Sequence, residues 1–544
     1  MGKRIGVVLA ACAVALLGAP RATAASDEVT PAEDNPPGCT TAGYGSGPEC
    51  GAQGRNNFAN ANHLPPIEAC KTTIAPTGST ITRIVPDGPR HADKSLAFVS
   101  GACVYLPPGY ATSGLRYPVI YLLHGGGGDA GNWVTQGDLR NTMDAAYAGD
   151  RSHAAIVIMP VASDGNWHDY VDGEFMNEQY VLRYLLPYVD RHFRTINDRK
   201  GRAVIGLSNG GYGALELAAQ APDTFVVAGG MSSNLAARSM SGLGTHWLAG
   251  TDQVQNQEFG AYYYGHTPTP LASNLDPVDI TMDLGTSCSS QADLTNDGCA
   301  SIALDLAFLA DNRAFQDALK AAKYTGTAEY RETEGKHSWI YWSMWLRERH
   351  LPFAWKRLAK PQPASAPLVA SALPPSFRYR SIAPSFSIYG YDVSITRPHP
   401  EFLDLTNVTA SGFTIAGTGA AVVTTVARYQ PGASYSVNGA TLVADAAGRL
   451  RVPVDLGPGH TGEQYSPAAR AQDAAGEYSF VTRQVTISQV LGATITRPEP
   501  VAVEVIPRTG GSEEPLWFAV GVVLLLVLRR FGLRLKQVSE ASDR

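Results

Sequence analysis

The chain has 544 residues, of which 44% are hydrophobic and 17% charged, a globular rather than a disordered composition. That length exceeds one ordinary domain, so two folded units with linkers are expected. A net charge of −6, a pI near 6.1 and the lack of any long Lys/Arg block exclude the electrostatic footprint of a nucleic-acid partner.

Residues 1–24 read as an export signal. Lys3 and Arg4 precede an apolar core from Ile5 to Leu17, and Ala22-Thr23-Ala24 gives a small-residue cleavage pattern. Leu9-Ala10-Ala11-Cys12 also fits a lipid-attachment box, but the apolar stretch runs on past Cys12, so cleavage near Ala24 is preferred. Cleavage there leaves an even set of cysteines, which in an exported protein suggests disulfides. The sequence-local pairing is Cys39–Cys50, Cys70–Cys103 and Cys288–Cys299. None of these pairs has metal-ligand spacing beside histidines, so no zinc site is expected.

Residues 25–64, rich in Pro, Gly and Asn, form a loosely ordered leader. From 65 to 358, apolar runs alternate with helical stretches. Pro118–Leu123, Ala154–Met159, Ala203–Ile205, Phe225–Ala228 and Asp279–Leu284 predict buried strands, and Asn177–Phe193 and Gly211–Ala221 predict helices. Alternation of this kind implies an α/β domain whose mostly parallel sheet is covered on both faces. Residues 359–380, with the Pro/Ala/Ser-rich run Lys360–Ser376, read as a linker. From 381 to 508, short Val/Thr/Tyr/Ile runs between Gly, Pro and Asn turns predict a smaller antiparallel β-sandwich. Ile-Thr-Arg-Pro occurs at Ile395 and Ile495, and one recurrence does not make a repeat.

Residues 509–544 carry a second membrane signal. Leu516–Leu528 is uninterrupted apolar sequence with Glu513 and Glu514 before it and Arg529 and Arg530 after it. Against the roughly 20 residues that span a bilayer this is short. A membrane anchor or a cleavable sorting tail is expected, with an amphipathic or core helix as the alternative.

The chemistry concentrates in four places. Ala203-Val204-Ile205 leads into Gly206-Leu207-Ser208-Asn209-Gly210 and then a small-residue helix, a G-x-S-x-G between strand and helix. Glycines two residues either side of Ser208 let the backbone bend sharply enough to expose a nucleophilic hydroxyl. Upstream, the strand ending at Leu123 runs into His124-Gly125-Gly126-Gly127-Gly128. Such a loop supplies one oxyanion amide and the residue after the nucleophile the other, which makes Gly126 and Asn209 the donors. A general base has to follow the nucleophile, and His337, after the strand Ala328–Glu332, is the candidate. His246, His266 and His350 read by default as exposed. The acid belongs after the strand Asp279–Gly285 and before the helix containing Asn312–Leu319. Asp305 is favoured and Asp293 is the alternative, while Asp297 reads as a turn residue and Asp311 as a helix cap. Trp133, Trp167 and Trp339 are candidates for the substrate wall or for core packing.

The stretches YLLHGGGG with Trp133, LPYVDRHFRT (Leu186–Thr195), GLSNGGYGAL (Gly206–Leu215), DNRAFQDAL (Asp311–Leu319) and GKHSWIYW (Gly335–Trp342) stand in the order of a known family. They resemble the esterase D-like branch of the α/β-hydrolase superfamily. The resemblance implies hydrolysis of carboxylic esters, among them feruloyl and acetyl esters of plant polysaccharides, S-formylglutathione and siderophore esters; one branch transfers mycolic acyl groups to sugars. This chain departs from the family in its interrupted acid loop, its β-rich domain and its tail. The expected substrate is therefore a small-molecule or carbohydrate-linked ester, attacked by a Ser-His-Asp triad through an acyl-enzyme, an acyl-transfer chemistry that calls for no cofactor. An acyltransferase would use the same residues, and a peptidase is the reading from the triad alone. A non-catalytic surface binding protein would suit the β-domain and tail but not the joint presence of Ser208, His337 and the glycine loop.

Overall fold

The computed structural model describes Cys70 and residues 73–84, 86, 101–162, 167–169, 176–235, 260–289, 299–462, 464 and 479–490. The expected export signal, leader and C-terminal tail lie outside the described residues, as do Cys39, Cys50, His246, Asp293 and Asp297. Among the described residues no helix is long and apolar enough to cross a membrane.

The first ten strands are β1 (Thr73–Ile74), β2 (Thr80–Ile84), β3 (Ala102–Leu106), β4 (Leu115–Arg116), β5 (Val119–Leu123), β6 (Ile156–Pro160), β7 (Arg202–Leu207), β8 (Val227–Met231), β9 (Asp279–Ser287) and β10 (Ala328–Glu334). All but β4 join one nine-stranded sheet in the order β1-β2-β3-β6-β5-β7-β8-β9-β10. The pairs from β1 to β6 are antiparallel, and every pair from β6 to β10 is parallel. Parallel strands covered on both faces need apolar side chains throughout, and β5, β6, β7 and β8 are buried at every position. The chain steps from β5 to β6 on one side and then to β7 on the other. A crevice opens above the carboxyl ends of the strands where the order reverses in this way.

One face of the sheet is covered by three helical segments. The first runs through Asn177–Gln179, a π-turn stretch Tyr180–Leu185, and Leu186–His192; the others are Asn209–Gln220 and Ile302–Ala321. The opposite face is covered by Leu139–Gly149 and by the run from Trp339 through Trp355. Gly213 lies so close to Trp167 that a Cβ there would stand 2.2 Å from its ring, which explains the small residues of the 209–220 helix. The disulfides Cys70–Cys103 and Cys288–Cys299 are present.

The expected linker is pinned along its length. Gln362–Pro363 forms strand β11, paired with β4, and the backbone N–H and hydroxyl of Ser371 both donate to Asp198. The next strand, β12 (Phe377–Ser381), begins inside the span expected as linker. It is followed by β13 (Ser385–Ile388), β14 (Tyr391–Thr396), β15 (Leu403–Thr409), β16 (Gly412–Gly417), β17 (Ala420–Thr424), β18 (Ser434–Val437), β19 (Ala440–Val443), β20 (Arg451–Asp455) and β21 (Val481–Gln489). These form an antiparallel six-stranded sheet, β12-β15-β16-β21-β18-β19, and a four-stranded one, β13-β14-β17-β20. Alternate residues such as Tyr391, Val393 and Ile395 point into a core shared by the two sheets, as a sandwich requires.

The sandwich docks on the α/β domain. Ile382 and Phe402 belong to the same apolar cluster as the 209–220 helix. Asn274 clamps one residue of β12, its Oδ1 accepting from the Arg380 N–H at 2.7 Å and its Nδ2 donating to the Arg380 carbonyl at 2.8 Å. The Tyr379 hydroxyl donates to the Gln220 carbonyl, and the Tyr389 N–H donates to Asp223.

Candidate active site

β7 ends at Leu207 and the next helix starts at Asn209, so Ser208 alone makes the turn between them. Its backbone takes φ 54° and ψ −121°, a left-handed conformation that costs energy in a non-glycine residue. The flanking glycines permit it. A Cβ on Gly206 would lie 2.1 Å from the Gly210 carbonyl oxygen, and one on Gly210 would lie 2.4 Å from that of His124. The Ser208 N–H is spent on the Met231 carbonyl, and Ser208 remains half-buried at the crevice.

β10 ends one residue before Gly335, whose φ of 153° and close approach to Trp345 admit no side chain. The chain then turns His337 over the crevice. His337 Nε2 stands 3.0 Å from Ser208 Oγ, and its Nδ1 stands 2.7 Å from Asp305 Oδ1. The imidazole is flanked edge-on by Trp342 at 4.8 Å and Phe308 at 5.7 Å.

Asp305 occupies a place that sequence reasoning drew differently. The helix expected around 312–319 starts at Ile302, so the aspartate sits in its first turn rather than in the loop before it. That position favours a carboxylate, since unsatisfied N–H groups and the helix dipole are positive there. Asp305 is fully buried, and its second oxygen accepts from Ser232 Oγ at 2.9 Å and from the Gly285 N–H at 3.0 Å. Ser232 and Gly285 carried no local motif that could have marked them. Asp311 lies within this helix rather than at its N-terminus, where Ser301 stands.

The loop after β5 lies against the serine turn. A Cβ on Gly125 would stand 3.1 Å from Ser208 Cβ, and one on Gly126 would stand 3.0 Å from Asn209 Nδ2. Asn209 Oδ1 in turn accepts from Asn234 Nδ2 at 3.0 Å. His124 is buried, donates Nδ1–H to the Gly125 carbonyl and accepts the Ala162 N–H on Nε2; burial drives its pKa down to about 4. Two indoles brace the same loop: Trp133 donates to the Leu123 carbonyl and Trp167 to the His124 carbonyl. Both are completely buried, which corrects their reading as substrate walls: they are core residues behind the glycine loop. Trp339 is half-buried and packs edge-on against Trp133 and Trp342.

Of two histidines expected on the surface, one is fully buried and the other half-buried. His350 is buried with Nε2 3.0 Å from Asp283 Oδ2, and Asp283 further receives Arg331 and Arg349. Both side chains of this second His–Asp pair are fully buried. His266 donates Nδ1–H to the Tyr262 carbonyl and lies 3.6 Å from Glu178, and loss of solvent around the ring lowers its pKa to about 4. Beside it, buried Glu216 hydrogen-bonds to half-buried Glu178; loss of solvent is the first cause holding both well above the usual carboxylate range. Among the described residues no three His, Cys, Asp or Glu side chains are grouped to hold a metal.

A mostly parallel sheet whose order reverses at β5, with a strained serine after β7, a histidine after β10 and a buried acid after β9, defines the α/β-hydrolase class. The family model described as "Putative esterase" matches residues 100–353, a little under half of the chain. Esterase Rv1288 of Mycobacterium tuberculosis (strain H37Rv) is 34% identical over 182 residues, 32% of this chain and 38% of that protein. An endo-1,4-beta-xylanase/feruloyl esterase of Xylanibacter ruminicola is 33% identical over 131 residues, 23% of this chain and 18% of that protein. The chain thus spans less than half the length of either curated relative. A solved ferulic acid esterase aligns at 23% identity over 52% of this chain and 99% of its own, with a TM-score of 0.40.

Proposed function

We propose that this chain is a serine carboxylic ester hydrolase working through an acyl-enzyme, with Ser208 as nucleophile, His337 as general base and Asp305 as the acid. The observation that carries the reading is the unbroken hydrogen-bonded line Ser208–His337–Asp305, anchored at a strained turn. His337 takes the Ser208 proton as Oγ attacks the ester carbonyl, and then passes it to the departing alcohol. Asp305 holds the imidazole tautomer and stabilises its charged form without taking the proton. The amides of Gly126 and Asn209 hold the developing oxyanion, a single such donor being worth about 3–4 kcal/mol in the transition state. Water then releases the acyl group, and no cofactor takes part.

The substrate class we infer is a small or carbohydrate-linked ester, and the relatives' names make a feruloyl ester the first to assay. Two disulfides support an extracytoplasmic site of action. Attachment through residues 509–544 rests on the sequence alone and is tested by cell fractionation.

The decisive experiment assays acetyl, longer-chain acyl and feruloyl esters on the native chain and on Ser208→Ala, with and without a sugar acceptor. Native turnover to free acid, with a loss of about 10⁴-fold or more in the variant, is expected. Acyl sugar in place of free acid would make the protein an acyltransferase. A Ser208→Ala variant with full activity ends the assignment of Ser208 as nucleophile, and a native chain that turns over none of these esters leaves a surface binding protein.

A further inference from the structure

We propose that Ser232 is a positioning residue for the acid of the triad, its hydroxyl proton directed at Asp305 by Trp342. The inference rests on the esterase reading above and adds a residue to it. Ser232 follows β8 directly, is fully buried, and takes a φ of 49° that a side chain rarely adopts. Its N–H is bound to the Asp283 carbonyl, which fixes the backbone at that angle.

The hydroxyl has two partners of opposite character. Trp342 Nε1 lies 3.0 Å from Ser232 Oγ, and an indole N–H can only donate. Ser232 Oγ therefore accepts on that side, and its single proton is committed to Asp305 Oδ2 at 2.9 Å. The Gly285 N–H reaches the same oxygen at 3.0 Å, leaving Oδ1 for His337 alone. A Cβ on Gly285 would sit 2.7 Å from that carboxylate oxygen, so the glycine keeps the approach open. The carboxylate can no longer rotate, and the oxygen presented to the imidazole is fixed. Trp342 also packs its ring edge-on to His337, so one indole sets both the serine that orients the acid and the face of the base.

With Ser232→Ala, Asp305 loses a donor, its negative charge concentrates on Oδ1, and the imidazolium is favoured. The acid limb of the pH profile of kcat/KM then moves to higher pH. We expect kcat to fall about tenfold to a hundredfold, as for loss of a hydrogen bond to a charged group, with KM within about twofold. Trp342→Phe keeps the ring beside His337 but frees the hydroxyl, so kcat falls by less and the limb moves less. Ser232→Cys, with a weaker donor of similar shape, falls between native and Ser232→Ala.

Each variant is assayed as the full chain with a nitrophenyl ester across pH, beside Ser208→Ala, and its reactive Ser208 is titrated with a fluorophosphonate. If Ser208→Ala is inactive while Ser232→Ala keeps its kcat and acid limb, the positioning role is refuted and the esterase reading stands. If Ser208→Ala is active, the esterase reading itself has failed. Should Ser232→Ala not fold, Ser232→Cys decides, and a native kcat and acid limb there overturn the proposal.

Discussion

At the scale of single residues, the crevice is built by exclusion of side chains as much as by their presence. Gly125, Gly206, Gly210 and Gly285 each stand where a Cβ would press on backbone or on a reacting group. His124 adds a dependence on pH. Its Nε2 accepts the Ala162 N–H, a bond that protonation abolishes, and burial lowers its pKa from 6.5 to about 4. The unfolded chain therefore binds a proton below 6.5 that the folded chain refuses. Its contribution is complete above 6.5 and is lost as pH falls toward 4, about 3 kcal/mol in all. Half-buried His266, whose pKa is also lowered, acts in the same direction. Urea unfolding of the native chain between pH 7 and pH 4 should show this decline, and His124→Gln should flatten it. An unchanged slope in the variant contradicts the assignment.

At the scale of elements, the helix carrying Ser208's turn meets the 177–192 helical segment through Glu216 and Glu178. Glu216 is fully buried and Glu178 half-buried, Glu216 hydrogen-bonds to Glu178, and Gln220 donates to Glu216 at 3.2 Å. Asp169 and Arg183 add opposing charges at this contact, and His266 stands beside it. Burial raises both carboxyls above the ordinary glutamate value of 4.5. The folded chain then holds protons that the unfolded chain releases, so stability falls as pH rises above that value. Glu216→Gln mimics the protonated acid: its oxygen still accepts from Gln220 and its amide donates to Glu178. Thermal unfolding near pH 8 should show the variant as the more stable protein, and the difference should vanish near pH 4. A variant less stable at both values would mean that the pair is held by charge, not by a shared proton.

At the scale of the whole molecule, the sandwich is seated on the helix side of the α/β sheet rather than tethered at a distance. Ile382 fills a depression at Gly265, where a Cβ would come within 2.4 Å of its side chain, and Asn274 clips β12 at the same edge. Ile382→Asp places a charge in the apolar cluster and removes its packing, a loss of about 3 kcal/mol or more. The expected outcome is a Tm lowered by several degrees and faster proteolysis within 359–376. An unchanged Tm and cleavage rate would mean that the sandwich is held by its polar contacts alone.

The sequence by itself determined the elements that are locally encoded. Continuous apolar runs specify strands buried on both faces, and a serine between glycines after such a run specifies the bent turn, because both are decided within a few residues. The histidine after β10 was legible for the same reason, since a charged edge strand followed by Gly335 places it. The start of the helix that carries Asp305 was not, as the preceding segment has no cap pattern of its own and its position is set by packing against β9. The burial of His350, the partial cover over His266, the bracing indoles and the Ser232 contact were decided only by tertiary structure. Each depends on groups dozens of residues away, whose pairing is enforced by the cost of leaving a polar atom unsatisfied in the interior. Nothing in the local sequence registers that cost.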